Sequence, residues 1–123
     1  MLRFSASAVS TVETTELNVF AVILAENVDG SGARLEIQRA LSFDAQDREL
    51  GQDTYCLSTE TGCSHYGGIS VWRLLGDRLE IALDSDAAKS LGVTSGFIVD
   101  IVADLQARNA LEAGMRRVLG ELQ

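Results

Sequence analysis

The sequence predicts an α+β fold: a mainly antiparallel β-sheet, with a short helix and a C-terminal amphipathic helix packed on one face. Three observations carry this. Two alternating runs, at 67–74 and 78–83, flank Gly76-Asp77, which is the signature of a hairpin. LNVFAVILA, at 17–25, is apolar on both parities after Asn18, as in a strand buried on both faces. From Asp104 the period lengthens, and Leu111, Met115, Val118 and Leu122 fall on one stripe of a helix.

Each element has a local cause. Near the start, Phe4, Ala6 and Ala8 alternate with serines and predict a weak edge strand. The run at 17–25 belongs in the middle of the sheet. VDGSG, at 28–32, is a turn signal. RLEIQRAL, at 34–41, then puts Leu35 and Ile37 on one side and Glu36 and Gln38 on the other, so it pairs back as an antiparallel hairpin. Residues 42–53 follow neither period and are expected to form a loop, with one helical turn at Ala45–Leu50. Thr54–Ser58 is short and rich in β formers, hence a strand; TETGCSH is a loop. Asp84 or Ser85 can cap a short helix with Ala87, Ala88 and Leu91 on its apolar side, and Gly92 is placed to end it in left-handed geometry. FIVDIV, at 97–102, predicts the last strand. The order is β-β-β-β-β-β-α-β-α, and the C-terminal stripe is expected to be core, because a one-layer sheet needs a cover.

The 123 residues, 46% hydrophobic, fit one domain over 1–123 with a single core. No apolar run approaches the roughly 20 residues that span a bilayer, and no signal-peptide pattern opens the chain, so a cytoplasmic protein without a membrane partner is expected. Formal charge is −8. Half of it lies in residues 42–60, where Asp44, Asp47, Glu49, Asp53 and Glu60 face Arg48 alone. Such a chain repels phosphate backbones, so nucleic acid is a poor partner and a basic protein a better one. Many proteins are acidic for solubility alone.

The segment FDAQDRELGQDTYCLSTETGCSHYGGI, residues 43–69, concentrates both cysteines, the lone histidine and both tyrosines. It does not assemble a known catalytic set. No G-x-S-x-G elbow is present. Cys63 is too close in sequence to His65 for a standard thiol–imidazole pair, whereas Cys56 could meet His65 across a hairpin. One histidine and scattered carboxylates match neither zinc nor calcium patterns. Tyr66-Gly67-Gly68 lacks the lysine and helix of a phosphate loop; paired glycines entering a strand more often mark a bulge or a close backbone approach. No enzyme, metal or cofactor is therefore expected.

Four features carry a resemblance. They are Ile37-Gln38-Arg39 at a strand end, the acidic run from Gln46 to Cys56, the Tyr66–Gly68 triplet, and the strand LEIAL leading into Ala87-Ala88-x-x-Leu91-Gly92. In this order and spacing, over roughly residues 17–105, the chain resembles immunity protein family ten of bacterial polymorphic-toxin systems. The resemblance implies a small cytoplasmic protein that binds and neutralises a cognate toxin by occlusion. It brings no catalytic residues and no fixed contact motif.

Physics supplies the contact candidates. Toxins that attack nucleic acid tend to be basic, and an acidic inhibitor is steered to such a surface. Asp44, Asp47, Glu49 and Asp53 would provide the charge. Tyr55, His65, Tyr66 or Trp72 would provide an aromatic anchor. Tyr55 and Trp72 sit on strands and fit the core equally well, and Tyr66 fits a turn brace. A homodimer through the N-terminal edge strand stays open. The other function considered is a small-ligand or signalling module, with a pocket between the sheet and the C-terminal helix.

Overall fold

A computed structural model describes residues 1–120. The order is β1 (Leu2–Ala6), β2 (Ala8–Thr14), β3 (Val19–Ala25), β4 (Arg34–Ala40), α1 (Ala45–Glu49), β5 (Cys56–Thr59), β6 (Ser64–Tyr66), β7 (Ile69–Leu75), β8 (Arg78–Leu83), α2 (Ser85–Leu91), β9 (Gly96–Ile101) and α3 (Leu105–Leu119). The fold is α+β, as the periodicities predict. The hairpins expected at 17–41 and 67–83 are present as β3–β4 and β7–β8.

One expectation is corrected. The strands form two sheets, not one: a five-stranded sheet in the order β2-β3-β4-β5-β6 and a four-stranded sheet in the order β1-β9-β8-β7. All pairings are antiparallel except β1 with β9. Alternation shows that a strand has one apolar face, but not which other strands share it. The alternating start also divides. β1 ends at Ala6, the chain leaves the smaller sheet at Ser7, and β2 continues in the larger one. Ser7 N–H donates to the Glu26 carbonyl at 3.3 Å, and Val102 N–H donates to the Ala6 carbonyl at 2.9 Å. Both strands lie at sheet edges. β2 runs on through polar Ser10–Thr14, where the sequence signal is weak because most of that strand is exposed.

One hydrophobic cluster joins the two sheets and two of the helices. Leu24, Leu35, Ile37 and Leu57 come from the larger sheet, and Leu79, Ile81, Phe97 and Val99 from the smaller. Ala87, Ala88 and Leu91 of α2 join them. The α2 cap is Asp84, which accepts Ala87 N–H at 2.8 Å, and Gly92 closes the helix in left-handed geometry as expected. Leu111, Met115 and Val118 of α3 are buried on the predicted stripe; Leu122 lies outside the described residues. α3 covers the core face of β2, β3 and part of β4. Gly114 lets it come close, since a Cβ there would stand 2.6 Å from Thr11 Cγ2 and 3.2 Å from Val22 Cγ2. Beyond the core, Arg117 pairs with Glu13 and stacks 4.2 Å over the Phe20 ring. Arg116 lies 5.8 Å over Trp72, so the half-buried tryptophan packs between core and helix.

The outward face of the smaller sheet is laced by ion pairs. Arg73 meets Glu80 at 2.8 Å, and Asp100 accepts from Arg3 at 2.9 Å with Arg78 at 3.9 Å. The hydrogen bond from Arg3 holds the Asp100 carboxyl below its ordinary value of 3.8. Its folded-state pKa is depressed, so its contribution to stability is complete above that value and is lost as pH falls through the lower one. Asp100→Asn is expected to flatten the acid limb of a stability–pH curve below about pH 4, read by chemical denaturation at successive pH values.

Candidate functional site: an acidic rim on a sheet face

The β4–β5 connection carries the acidic residues. Asp44 caps α1 by accepting Asp47 N–H at 2.7 Å, and Asp47 accepts Asp44 N–H at 3.0 Å in return. This reciprocal capping explains why the expected helical turn forms in an otherwise unpatterned stretch. α1 buries no residue. Glu49 is exposed and Asp53 is half-buried. Among the described residues, six ion pairs form, and none uses Asp44, Asp47, Glu49, Asp53 or Glu60. The loop therefore keeps its charge uncompensated at short range.

That loop walls one side of a cleft of about 380 Å³ on the outward face of the larger sheet. Asp47, Gln52 and Thr54 stand on the loop side, and Leu17 and Asn18 of the β2–β3 turn line it too. Gln38, Ala40, Cys56 and Tyr66 contribute from β4, β5 and β6. Asn18 adopts a positive φ of 54° and ties turn to loop, its side chain donating to the Ser42 carbonyl at 3.0 Å and accepting Ser42 N–H at 3.2 Å.

The aromatic candidates separate by register. Cys56 pairs with Tyr66, and Leu57 with His65. Paired residues share a face, and neighbours on a strand point to opposite ones. Tyr66 thus lies with Cys56 on the cleft side, 45% exposed. Burial is the main cause raising its hydroxyl pKa, with Cys56 and Asp47 adding to it. His65 turns the other way, toward α2, where Nδ1 lies 3.0 Å from Ser90 Oγ. The possible Cys56–His65 pair is overturned by this register, since the two side chains occupy opposite faces. Burial pushes the Cys56 thiol pKa up, and Glu36 adds to it, the opposite of what an activated thiolate requires.

Tyr55 is a core residue, with 1% of its surface exposed. Its hydroxyl oxygen accepts Ile69 N–H at 2.9 Å, and its carbonyl accepts Gly67 N–H at 2.9 Å. Burial raises its pKa. The Tyr-Gly-Gly triplet carries the chain from the larger sheet to the smaller. Gly68 has φ +97°, and a Cβ on it would stand 2.4 Å from Ala87 Cβ. Its carbonyl accepts Asp84 N–H at 2.8 Å at the start of α2. Gly68 is thus the close approach that paired glycines before a strand indicate, whereas Gly67 supplies a positive φ with open space beside it. Leu17 and Asn18 on the cleft escape a motif search: they read as the start of a buried strand, whereas Leu17 is an exposed turn residue.

The family model for Immunity protein 10 matches residues 5–111. The chain belongs to the Immunity protein 10 family. The match begins within β1 and reaches into α3, extending past both ends of the resemblance over 17–105. An Immunity protein 10 member is expected to bind a cognate toxin rather than to catalyse a reaction. No curated protein and no solved structure matches the chain. No helix among the described residues is long and apolar enough to cross a membrane.

Two substitution pairs check the division between scaffold and surface. Gly68→Ala is expected to destabilise the fold by about 1–3 kcal/mol through overpacking, with the cost of positive φ added. Gly67→Ala, whose nearest foreign atom is Thr54 Cγ2 at 3.8 Å, is expected to cost only the conformational penalty of about 1–2 kcal/mol. Tyr55→Phe leaves Ile69 N–H buried without its partner and is expected to cost about 1–3 kcal/mol. Tyr66→Phe removes no hydrogen bond formed among the described residues and is expected to be near neutral. Denaturant titration reads all four. In a Cys63→Ser background, iodoacetamide at pH 7 is expected to label Cys56 more slowly than a free cysteine.

Proposed function

We propose that this chain is a cytoplasmic immunity protein that binds a basic cognate toxin domain and neutralises it by occlusion. The observation that carries this reading is the family match across most of the chain. One shared hydrophobic core supports treating it as a single domain. The uncompensated acidic loop supports a basic partner. Asp44, Asp47, Glu49 and Asp53 supply the attraction, and Tyr66 stands beside Asp47 on the same cleft as a partly exposed aromatic. Tyr55 offers a partner no surface, and His65 faces α2, so both leave the proposed contact set.

Electrostatic steering speeds encounter and fades with salt. The charge is best removed without disturbing the α1 cap, because Asp44 and Asp47 also hold that helix. Asn is as good an N-cap as Asp. The variant Asp44→Asn, Asp47→Asn, Glu49→Gln, Asp53→Asn is expected to slow association with the cognate toxin domain about tenfold or more at low salt. It should also flatten the dependence of the on-rate on ionic strength. An unchanged on-rate across salt would remove the loop from the account. Failure of the parent chain to co-purify with that toxin, or to rescue cells exposed to it, would sink the reading itself.

A further inference from the structure

β3 is apolar on both faces, and α3 packs on only one of them. Phe20, Val22 and Leu24 enter the core. Val19, Ala21 and Ile23 point outward, where Ala21 is buried and Val19 and Ile23 are half-buried, and α3 lies on the opposite, core face. A cross-strand row continues it: Val12, Ala21, Gln38, Cys56 and Tyr66 are successive partners over all five strands. The charged strand residues of this face are Arg34 and Glu36, which pair with each other at 2.8 Å. The outward face of the smaller sheet differs sharply, with Arg3, Arg73, Arg78, Glu80 and Asp100 engaged in ion pairs. Val71 and Leu75 are exposed among those ion pairs. The face of the larger sheet is weakly polar and locally neutral, with acidic groups at its end.

We infer that this outward face of the larger sheet, together with the acidic loop at its end, is the docking surface for the basic toxin domain. The inference rests on the functional reading above and adds where the partner sits. Charge places the partner: cationic groups meet the carboxylates of the loop, and its apolar groups cross the neutral row. Area supports joining the two parts. The strands of this face present on the order of 450 Å² of sheet plane, from strand spacings of about 4.8 Å and rises of about 3.3 Å. A stable interface buries about 800 Å² of accessible surface from each partner, an area that the face and the adjoining loop can supply together.

The test compares surface variants for binding to the cognate toxin domain. Val12→Lys with Tyr66→Ala alters the proposed face. Val71→Lys with Leu75→Ala makes the same change of charge, with a smaller loss of bulk, on the smaller sheet, where Val71 and Leu75 are likewise exposed. The first pair is expected to weaken binding about 30-fold or more, chiefly through faster dissociation. The second pair is expected to change it less than about threefold. Equal binding by both, or loss only with the second, overturns the inference while leaving the immunity reading intact. A parent chain that does not bind the toxin takes both down. Alkylation provides a measurement that does not rely on the variants folding. In a Cys63→Ser chain, toxin should slow labelling of Cys56 at least tenfold. An unchanged labelling rate in a formed complex overturns the docking site. So does equal protection in a dimer of this chain alone, which would give the face to self-association.

Discussion

The constraint on which the two-sheet arrangement depends is the crossing from β6 to β7. Within four residues the chain must leave one sheet, pass α2 and begin another. Tyr55 sets the corner from beneath: its carbonyl holds Gly67 and its hydroxyl holds Ile69. Gly68 makes the passage, because only a residue without a Cβ fits against Ala87 at that φ. The Asp84 cap then uses the Gly68 carbonyl, so α2 is anchored on the same corner. Core packing, the start of the smaller sheet and the seat of α2 all meet there.

The same corner explains why a chemically rich segment is not a catalytic cluster. β5 and β6 alternate in register, so Cys56 and Tyr66 fall on one side and Leu57 and His65 on the other. The sequence neighbours are divided between an interior that takes Leu57 and an outward cleft that takes Tyr66. A thiol whose pKa burial raises and an imidazole hydrogen-bonded to a serine lie on opposite faces.

Charge follows a similar division. Carboxylates on the smaller sheet and on α3 are matched by arginines across strands or helical turns. Those of the β4–β5 loop are matched by no cation at ion-pair distance among the described residues. Surface pairs of the first kind add little stability singly. The unmatched group shapes the field seen by an approaching partner, and reciprocal capping fixes two of its members in place.

Much of this was legible in the chain. Period two marked the hairpins at β3–β4 and β7–β8, the change of period marked α3, and Asp84 with Gly92 bounded α2, because each signal is local and its cause lies within a few residues. The acidic segment and the family resemblance were legible for the same reason. What alternation cannot say is which sheet a strand joins or which of its faces meets the core. Ser10–Thr14 was missed because an exposed edge strand has little apolar pattern. Tyr55 and Tyr66 were equivalent as letters, and only the crossing at Gly67–Gly68 put one in the core and the other on the cleft. The sequence determined most of the elements, their charge and the family, but not β6, which begins in the stretch expected to be a loop. Tertiary structure alone decided that two sheets share the core, and that α3 packs on only one of the two apolar faces of β3, since those outcomes depend on contacts between residues far apart in the chain.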